Sequence, residues 1–237
     1  MTVDWSEQRV LVVAPHPDDE VIGCGGLISR VKRAGGEVYV EFMTVGDTAD
    51  FTAAGWSTAE ERYIEIEQVV GHLKVDGYHI AFPGGQHHLR LDAGPRHELV
   101  TMLERDSPLS LTALAPTAVF VPHWTSYNQD HRTTAEAAIT ALRPGDAAVK
   151  PQPAIVAAYE QVADGWTAGP LAPPDLFVAL DETDLDHKLE ALSLYASQAR
   201  DHPSTRSDLA LRSLAVVRGA QSGTPLAEAF HCLRWRA

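Results

Sequence analysis

The chain of 237 residues carries only two cysteines, Cys24 and Cys232. Two are too few for a disulfide framework, so the fold must stand on its core, and a reducing compartment is expected. Basic residues are scarce as well: 19 Lys and Arg face 32 Asp and Glu, a formal net charge of −13. That balance argues against a nucleic-acid partner or an anionic membrane surface, both of which need clustered Lys and Arg. No stretch approaches the roughly 18 apolar residues of a membrane helix. The opening segment Met1 to Glu7 has neither the basic nor the apolar region of a secretory leader, so a soluble, cytoplasmic protein is expected. Internal repeats and long linkers are also missing. What remains is an ordinary globular composition, 45% hydrophobic and 22% charged. The expected unit is one α/β domain over 1–237, its 160–237 part packing on the core and not forming a domain of its own.

Arg9 to Ala14 is a Val-rich apolar run bounded by Pro15, suited to a strand buried on both faces. A helix is expected over Val21 to Arg33, stopped by Gly35-Gly36, then a strand over Glu37 to Val45. Thr58-Ala59-Glu60-Glu61 has the spacing of a capping box and opens the next helix. Further strands are expected at Tyr78 to Phe82, Ala118 to Val121, Ala154 to Ala158, Leu176 to Leu180 and Phe230 to Trp235. Helices are expected at Pro95 to Arg105, Asp130 to Leu142, Thr183 to Arg200 and Ser207 to Arg218. This alternation predicts a Rossmann-like, mostly parallel sheet with helices on both faces, and ligands bind such sheets beyond the carboxyl ends of the strands.

The loop after the first strand reads Pro15-His16-Pro17-Asp18-Asp19-Glu20. A histidine and three carboxylates in five positions is a costly cluster of like charge unless a cation neutralises it. His16 and Asp19 stand three apart, and a turn into the helix between them lets both face one point while Asp18 points elsewhere. A hydrolytic zinc site takes about three protein ligands and keeps a position open. The loop after the fourth strand, Pro122 to Arg132, can supply the third ligand.

The run His16-Pro17-Asp18-Asp19-Glu20, followed by Gly23 and Gly25-Gly26, resembles the signature of the LmbE-like or PIG-L-type zinc N-deacetylases, and Asn128-Gln129-Asp130-His131-Arg132 resembles their second motif. Gly46-Asp47, Arg62, Glu65 and the ending Ala227-Glu228-Ala229-Phe230 fit the same order. The resemblance implies one zinc per chain on His16, Asp19 and His131, with Asp18 as general base and Arg62 as a sugar-contacting arginine. Iron, cobalt and nickel also suit a His-His-Asp set. Many family members carry histidine where this chain has Asn128. An amide there can donate to an oxyanion but supplies no proton, so Asp18 makes both proton transfers or His88, His202 or Tyr127 fills in.

Blander readings stand beside these. Glu20 suits a helix start by its charge. Asp130 could support a ligand histidine or cap the helix. His87, His88 and His123 read as loop or rim residues, although His88 could also touch substrate. Gly23-Cys24-Gly25-Gly26 looks like a dinucleotide motif but places Ile28 where its last glycine belongs. No G-x-S-x-G elbow occurs. The expected function is removal of the N-acetyl group from an N-acetylglucosamine-type sugar or small glycoconjugate, with no nucleic acid and no membrane insertion, and a homo-oligomer is compatible with the sequence. The alternatives are an amidase on another small amide conjugate and a non-catalytic sugar- or nucleotide-binding α/β domain.

Overall fold

Along β1 (Arg9–Ala14), Val10, Val12 and Ala14 enter one apolar cluster and Leu11 and Val13 another, so the strand is buried on both faces as its composition requires. The computed structural model describes residues 3–49 and 55–236. The other main strands are β2 (Glu37–Val45), β3 (Gly77–Pro83), β4 (Ala118–Val121), β5 (Ile155–Tyr159), β6 (Leu176–Leu180) and β7 (Leu226–Trp235). They form one sheet in the order β3-β2-β1-β4-β5-β7-β6. The first five are mutually parallel, whereas β7 runs antiparallel to both β5 and β6.

One layer holds α1 (Asp19–Ala34), α2 (Ala59–Leu73), α5 (Glu182–Leu194) and α6 (Asp208–Ser222); the other holds α3 (Arg96–Thr101) and α4 (Gln129–Ala141). Successive connections leave β1 in opposite directions, towards β2 on one side and β4 on the other. The crevice beyond the carboxyl ends of β1 and β4 is therefore the switch point of the sheet. Among the described residues, no helix is long and apolar enough to cross a membrane.

Most elements lie where the sequence places them, and Thr58 and Glu61 form the capping box that opens α2. Three differ. The helix from Arg96 widens into a π-helical turn at Met102–Asp106. Helix α5 stops at Leu194, six residues before Arg200, because Tyr195 leaves the helix and its carbonyl takes the amides of Gln198 and Ala199, each at 2.8 Å. Strand β7 begins at Leu226 and not at Phe230, so that Glu228 lies inside the sheet.

Glu228 reaches into the backbone of α1. Its Oε1 accepts the Gly26 amide at 2.9 Å and its Oε2 the Leu27 amide at 2.7 Å. Lys188, on α5, donates its Nζ to Glu228 Oε1 at 2.6 Å and to the Ile22 carbonyl at 2.8 Å. The Ile22 carbonyl and Gly26 amide are the two ends of one helical i to i−4 step, so a single buried ion pair grips both. This approach needs the missing side chains: a Cβ at Gly25 would stand 2.8 Å from Lys188 Cγ, and one at Gly26 would stand 3.1 Å from Glu228 Cδ and collide with Leu180. The glycine run is the seat of an ion pair and not a phosphate cradle. Glu228→Ala strands a buried ammonium, and we expect a loss of about 3–5 kcal/mol in urea unfolding. A loss below about 1 kcal/mol would show that the pair does not hold α1.

Candidate functional site

The site is built on the two loops that flank the switch point. The chain leaves β1 at Ala14, and within four residues it turns into α1 through Asp18, whose backbone is left-handed with φ 110°. That turn folds Asp19 back, so its carboxylate accepts the His16 amide at 2.9 Å. The loop after β4 ends at Asn128, the N-cap of α4, which accepts the Asp130 amide at 2.9 Å and sets Asp130 and His131 in the first turn of the helix.

His16, Asp19 and His131 converge. Asp19 Oδ2 lies 3.3 Å from His16 Nδ1 and 3.2 Å from His131 Nε2, and one ligand atom from each of the three residues lies within 4.8 Å of the others. On its far edge His16 Nε2 meets Asp130 Oδ2 at 3.0 Å, while Asp130 Oδ1 accepts the Leu91 amide at 3.0 Å. A histidine with one nitrogen facing its co-ligands and the other on a buried carboxylate is oriented as metal-binding imidazoles usually are. Two imidazoles and a carboxylate form a borderline donor set suited to zinc and its neighbours, so the residues present fit such an ion. All three are buried.

The packing sets the charges apart. Burial lowers the His16 imidazole, but Asp130 and Asp19 outweigh it and bring its pKa up to about 9. Burial would raise Asp19, yet His131 and His16 hold it well below the usual carboxylate range. Asp18 goes the opposite way, pushed up by burial and by Asp19 against the opposing Arg206. Its Oδ2 has no hydrogen-bond partner; the nearest cation is Arg206 Nη1 at 3.6 Å.

A cleft opens over these groups, walled by Arg62, His88, Tyr127, Asn128 and Gln161. Arg62 is buried, donates through Nη2 to the Pro17 carbonyl and leaves Nε without a partner. His88 packs edge-on to His16 at 5.2 Å between ring centres, with its nitrogens 3.2 Å from the Thr44 hydroxyl and 2.8 Å from that of Thr48. Burial, with His16 and Arg62 beside it, takes its pKa down to about 4. The structure therefore gathers Asp18, Asp19, His16, His131, Asn128, Arg62, His88 and Tyr127 around one space. His202 lies apart, on an adjoining groove.

Two residues that the sequence did not mark stand in or against the cleft, and a third has a larger part than its sequence reading. Gln161, just past β5, donates its Nε2 to Asp19 Oδ1 at 2.7 Å. Arg206 faces Asp18 and also donates to Gln198 Oε1 at 2.6 Å. Glu20 is more than a helix-start residue: it is buried, its Oε2 accepts the Asp18 amide at 3.1 Å, and its Oε1 accepts the Tyr195 hydroxyl at 2.6 Å. No spacing rule links a glutamine or a tyrosine to carboxylates more than 140 residues away. For Glu20 the one available signal was its place in a run of carboxylates.

Comparison with known proteins gives the arrangement relatives. A diacetylchitobiose deacetylase of Thermococcus kodakarensis is 32% identical over 103 residues, 43% of this chain. The chain spans only 38% of that curated relative's length. The solved structure of the conserved protein TT1542 from Thermus thermophilus is 26% identical with a TM-score of 0.68, covering 94% of both chains. The N,N'-diacetylchitobiose deacetylase of Pyrococcus horikoshii has the same fold, with a TM-score of 0.70 at 24% identity over 95% of this chain and 84% of its own. Residues 11–142 match the family described as PIG-L: GlcNAc-PI de-N-acetylase, and with more than half of its length in that match the chain belongs to this family.

Proposed function

We propose that the chain is a metal-dependent N-deacetylase that hydrolyses the acetamide of an N-acetylglucosamine-type sugar or small glycoconjugate. One observation carries the reading: Asp19 Oδ2 stands between His16 Nδ1 and His131 Nε2, and the adjacent Asp18, whose Oδ2 makes no hydrogen bond and faces Arg206 at 3.6 Å, lines the same cleft. Family membership and the likeness to chitobiose deacetylases support it. The unit we assign is the whole chain 1–237, since strands from both sides of residue 160 share one sheet. Its two cysteines are free, in keeping with the cytoplasm.

His16, Asp19 and His131 would hold one zinc ion, which when bound supplies a Lewis acid for an amide carbonyl and lowers the pKa of water towards about 7. Asp130 fixes the His16 ring, and Gln161 fixes the second oxygen of Asp19. Asp18 takes a proton from the attacking water as the C–O bond forms. It returns that proton to the nitrogen as the C–N bond breaks, giving acetate and the free amine. Asn128 spends its carbonyl on the α4 cap, so its NH₂ is the group left to donate to the developing oxyanion. Arg62 keeps a buried Nε–H for a sugar hydroxyl, and His88 completes the wall.

Metal analysis of the purified chain should find one zinc per molecule, and His16→Ala should lose both the metal and acetate release; full zinc content in that variant contradicts the ligand set. Asp18→Asn should keep its zinc while the rate of acetate release from N,N'-diacetylchitobiose drops by ~10² to 10⁴. Turnover near wild type would move the proton to another group. Asp130→Ala should weaken zinc by roughly 10- to 100-fold in competition with a chelator, and an unchanged affinity would leave Asp130 only its bond to Leu91. If the wild type releases acetate from linear acyl amides but not from N-acetylated sugars, the sugar assignment fails and the metal site stands.

A further inference from the structure

The backbone of Asp18 is the strained point of the site. At φ 110° an aspartate occupies a region that side chains disfavour, and it persists only if neighbours fix it. Its own side chain does not help, because it makes no cap hydrogen bond to α1. The Asp18 amide is instead taken by Glu20 Oε2 at 3.1 Å, and the amides of Val21 and Ile22 close on the Asp18 carbonyl at 3.1 and 2.9 Å. Glu20 could rotate away from such a contact were its other oxygen free. It is not: the Tyr195 hydroxyl holds Oε1 at 2.6 Å, and both side chains are fully buried.

Tyr195 is itself immobilised. Its amide caps the end of α5 by donating to the Leu192 carbonyl at 3.0 Å, and the segment just beyond it is tied to α2 by Glu65, which accepts the Ser197 amide at 2.6 Å and the Ser197 hydroxyl at 2.7 Å. Burial and the neighbouring Glu20 push the Tyr195 hydroxyl well above its usual range, so it keeps its proton for donation. The chain of contacts therefore runs from α2 and α5 through Tyr195 and Glu20 to one backbone amide in the cleft.

We infer that Tyr195 is a positioning residue that acts through Glu20 to hold Asp18 in its left-handed backbone, and so to aim its carboxylate across the cleft. The aim of Asp18 matters because Asp19 follows it directly and must point at the two histidines. With an ordinary backbone at residue 18 the two carboxylates could not be parted in this way. The catalytic consequence rests on the proposed deacetylase reading; the structural link does not.

Two measurements test it. In the zinc-loaded enzyme with N,N'-diacetylchitobiose as the probe, Tyr195→Phe should lower kcat roughly 10- to 100-fold with KM changed less than about threefold and zinc content unchanged. Glu20→Gln should retain most of the activity, since a carboxamide can accept from the Asp18 amide and donate to the Tyr195 oxygen. Glu20→Leu should not. A kcat for folded, zinc-loaded Tyr195→Phe within about twofold of wild type overturns the inference. The second measurement needs no activity. Asp18→Gly removes the backbone strain, so Tyr195→Phe should lower Tm less in the Asp18→Gly background than in the wild type. Additive Tm changes overturn the link between Tyr195 and Asp18. A non-additive cycle in a protein that releases no acetate keeps the link and defeats the proposed function instead.

Discussion

Three successive carboxylates, Asp18, Asp19 and Glu20, are buried in a single turn of chain, each less than 5% exposed. Like charges this close cannot share one environment, and the structure separates them into three. Asp19 folds back onto two histidines and an amide, Glu20 points inward to a tyrosine, and Asp18 is left towards the cleft by a left-handed backbone. The chemistry proposed for the site needs this sorting. In the proposed reading, the aspartate set between both imidazoles would serve as a ligand, and the aspartate whose Oδ2 makes no hydrogen bond would exchange a proton.

The groups that enforce the sorting come from far along the chain. Gln161 follows β5, Tyr195 ends α5, Arg206 lies before α6, and the Lys188–Glu228 pair links α5 and β7 to α1. All lie beyond residue 142, where the family match ends. The antiparallel insertion of β7 between β5 and β6 acquires a reason here, because it brings Glu228 against the middle of the helix whose first residue is Asp19. The three residues proposed to hold a metal, with Asp130 against His16, lie before residue 142, and these other supports lie after it. The last third of the chain is part of the site by contact, although the candidate metal group lies before it.

The sequence disclosed what short-range pattern encodes. A Val-rich run before His16 suits a doubly buried strand, and Thr58 with Glu61 has the spacing that opens a helix, so β1 and α2 were legible. The convergence of His16 and Asp19 was legible too, from three-residue spacing at a turn. What stayed hidden depends on distant partners. Continuing α5 to Arg200 follows the local pattern, but Tyr195 is needed against Glu20, and the chain breaks there. Glu228 hid the start of β7, because a charge in the middle of a sheet makes sense only beside Lys188 and the α1 backbone. Three glycines inside a helix, each costing about 1 kcal/mol against alanine, were the one local sign that something approaches α1 closely.

Asn128 shows how the same constraint shapes the departure from the family pattern. It stands at the N-cap of α4, where a side-chain oxygen must accept the Asp130 amide, and asparagine is among the best residues for that task. A histidine there could accept through only one neutral nitrogen and would lose the cap whenever it took up a proton. The helix start it secures carries both Asp130 and His131, so a cap that titrates would disturb His131 and the residue that orients His16 together. With asparagine the cap does not titrate, and one NH₂ remains for the cleft. Under the proposed reaction, proton transfer and oxyanion contact are then divided between Asp18 at the end of β1 and Asn128 beyond β4. Each group is fixed by the backbone it sits on, and neither has to change charge for the other to work.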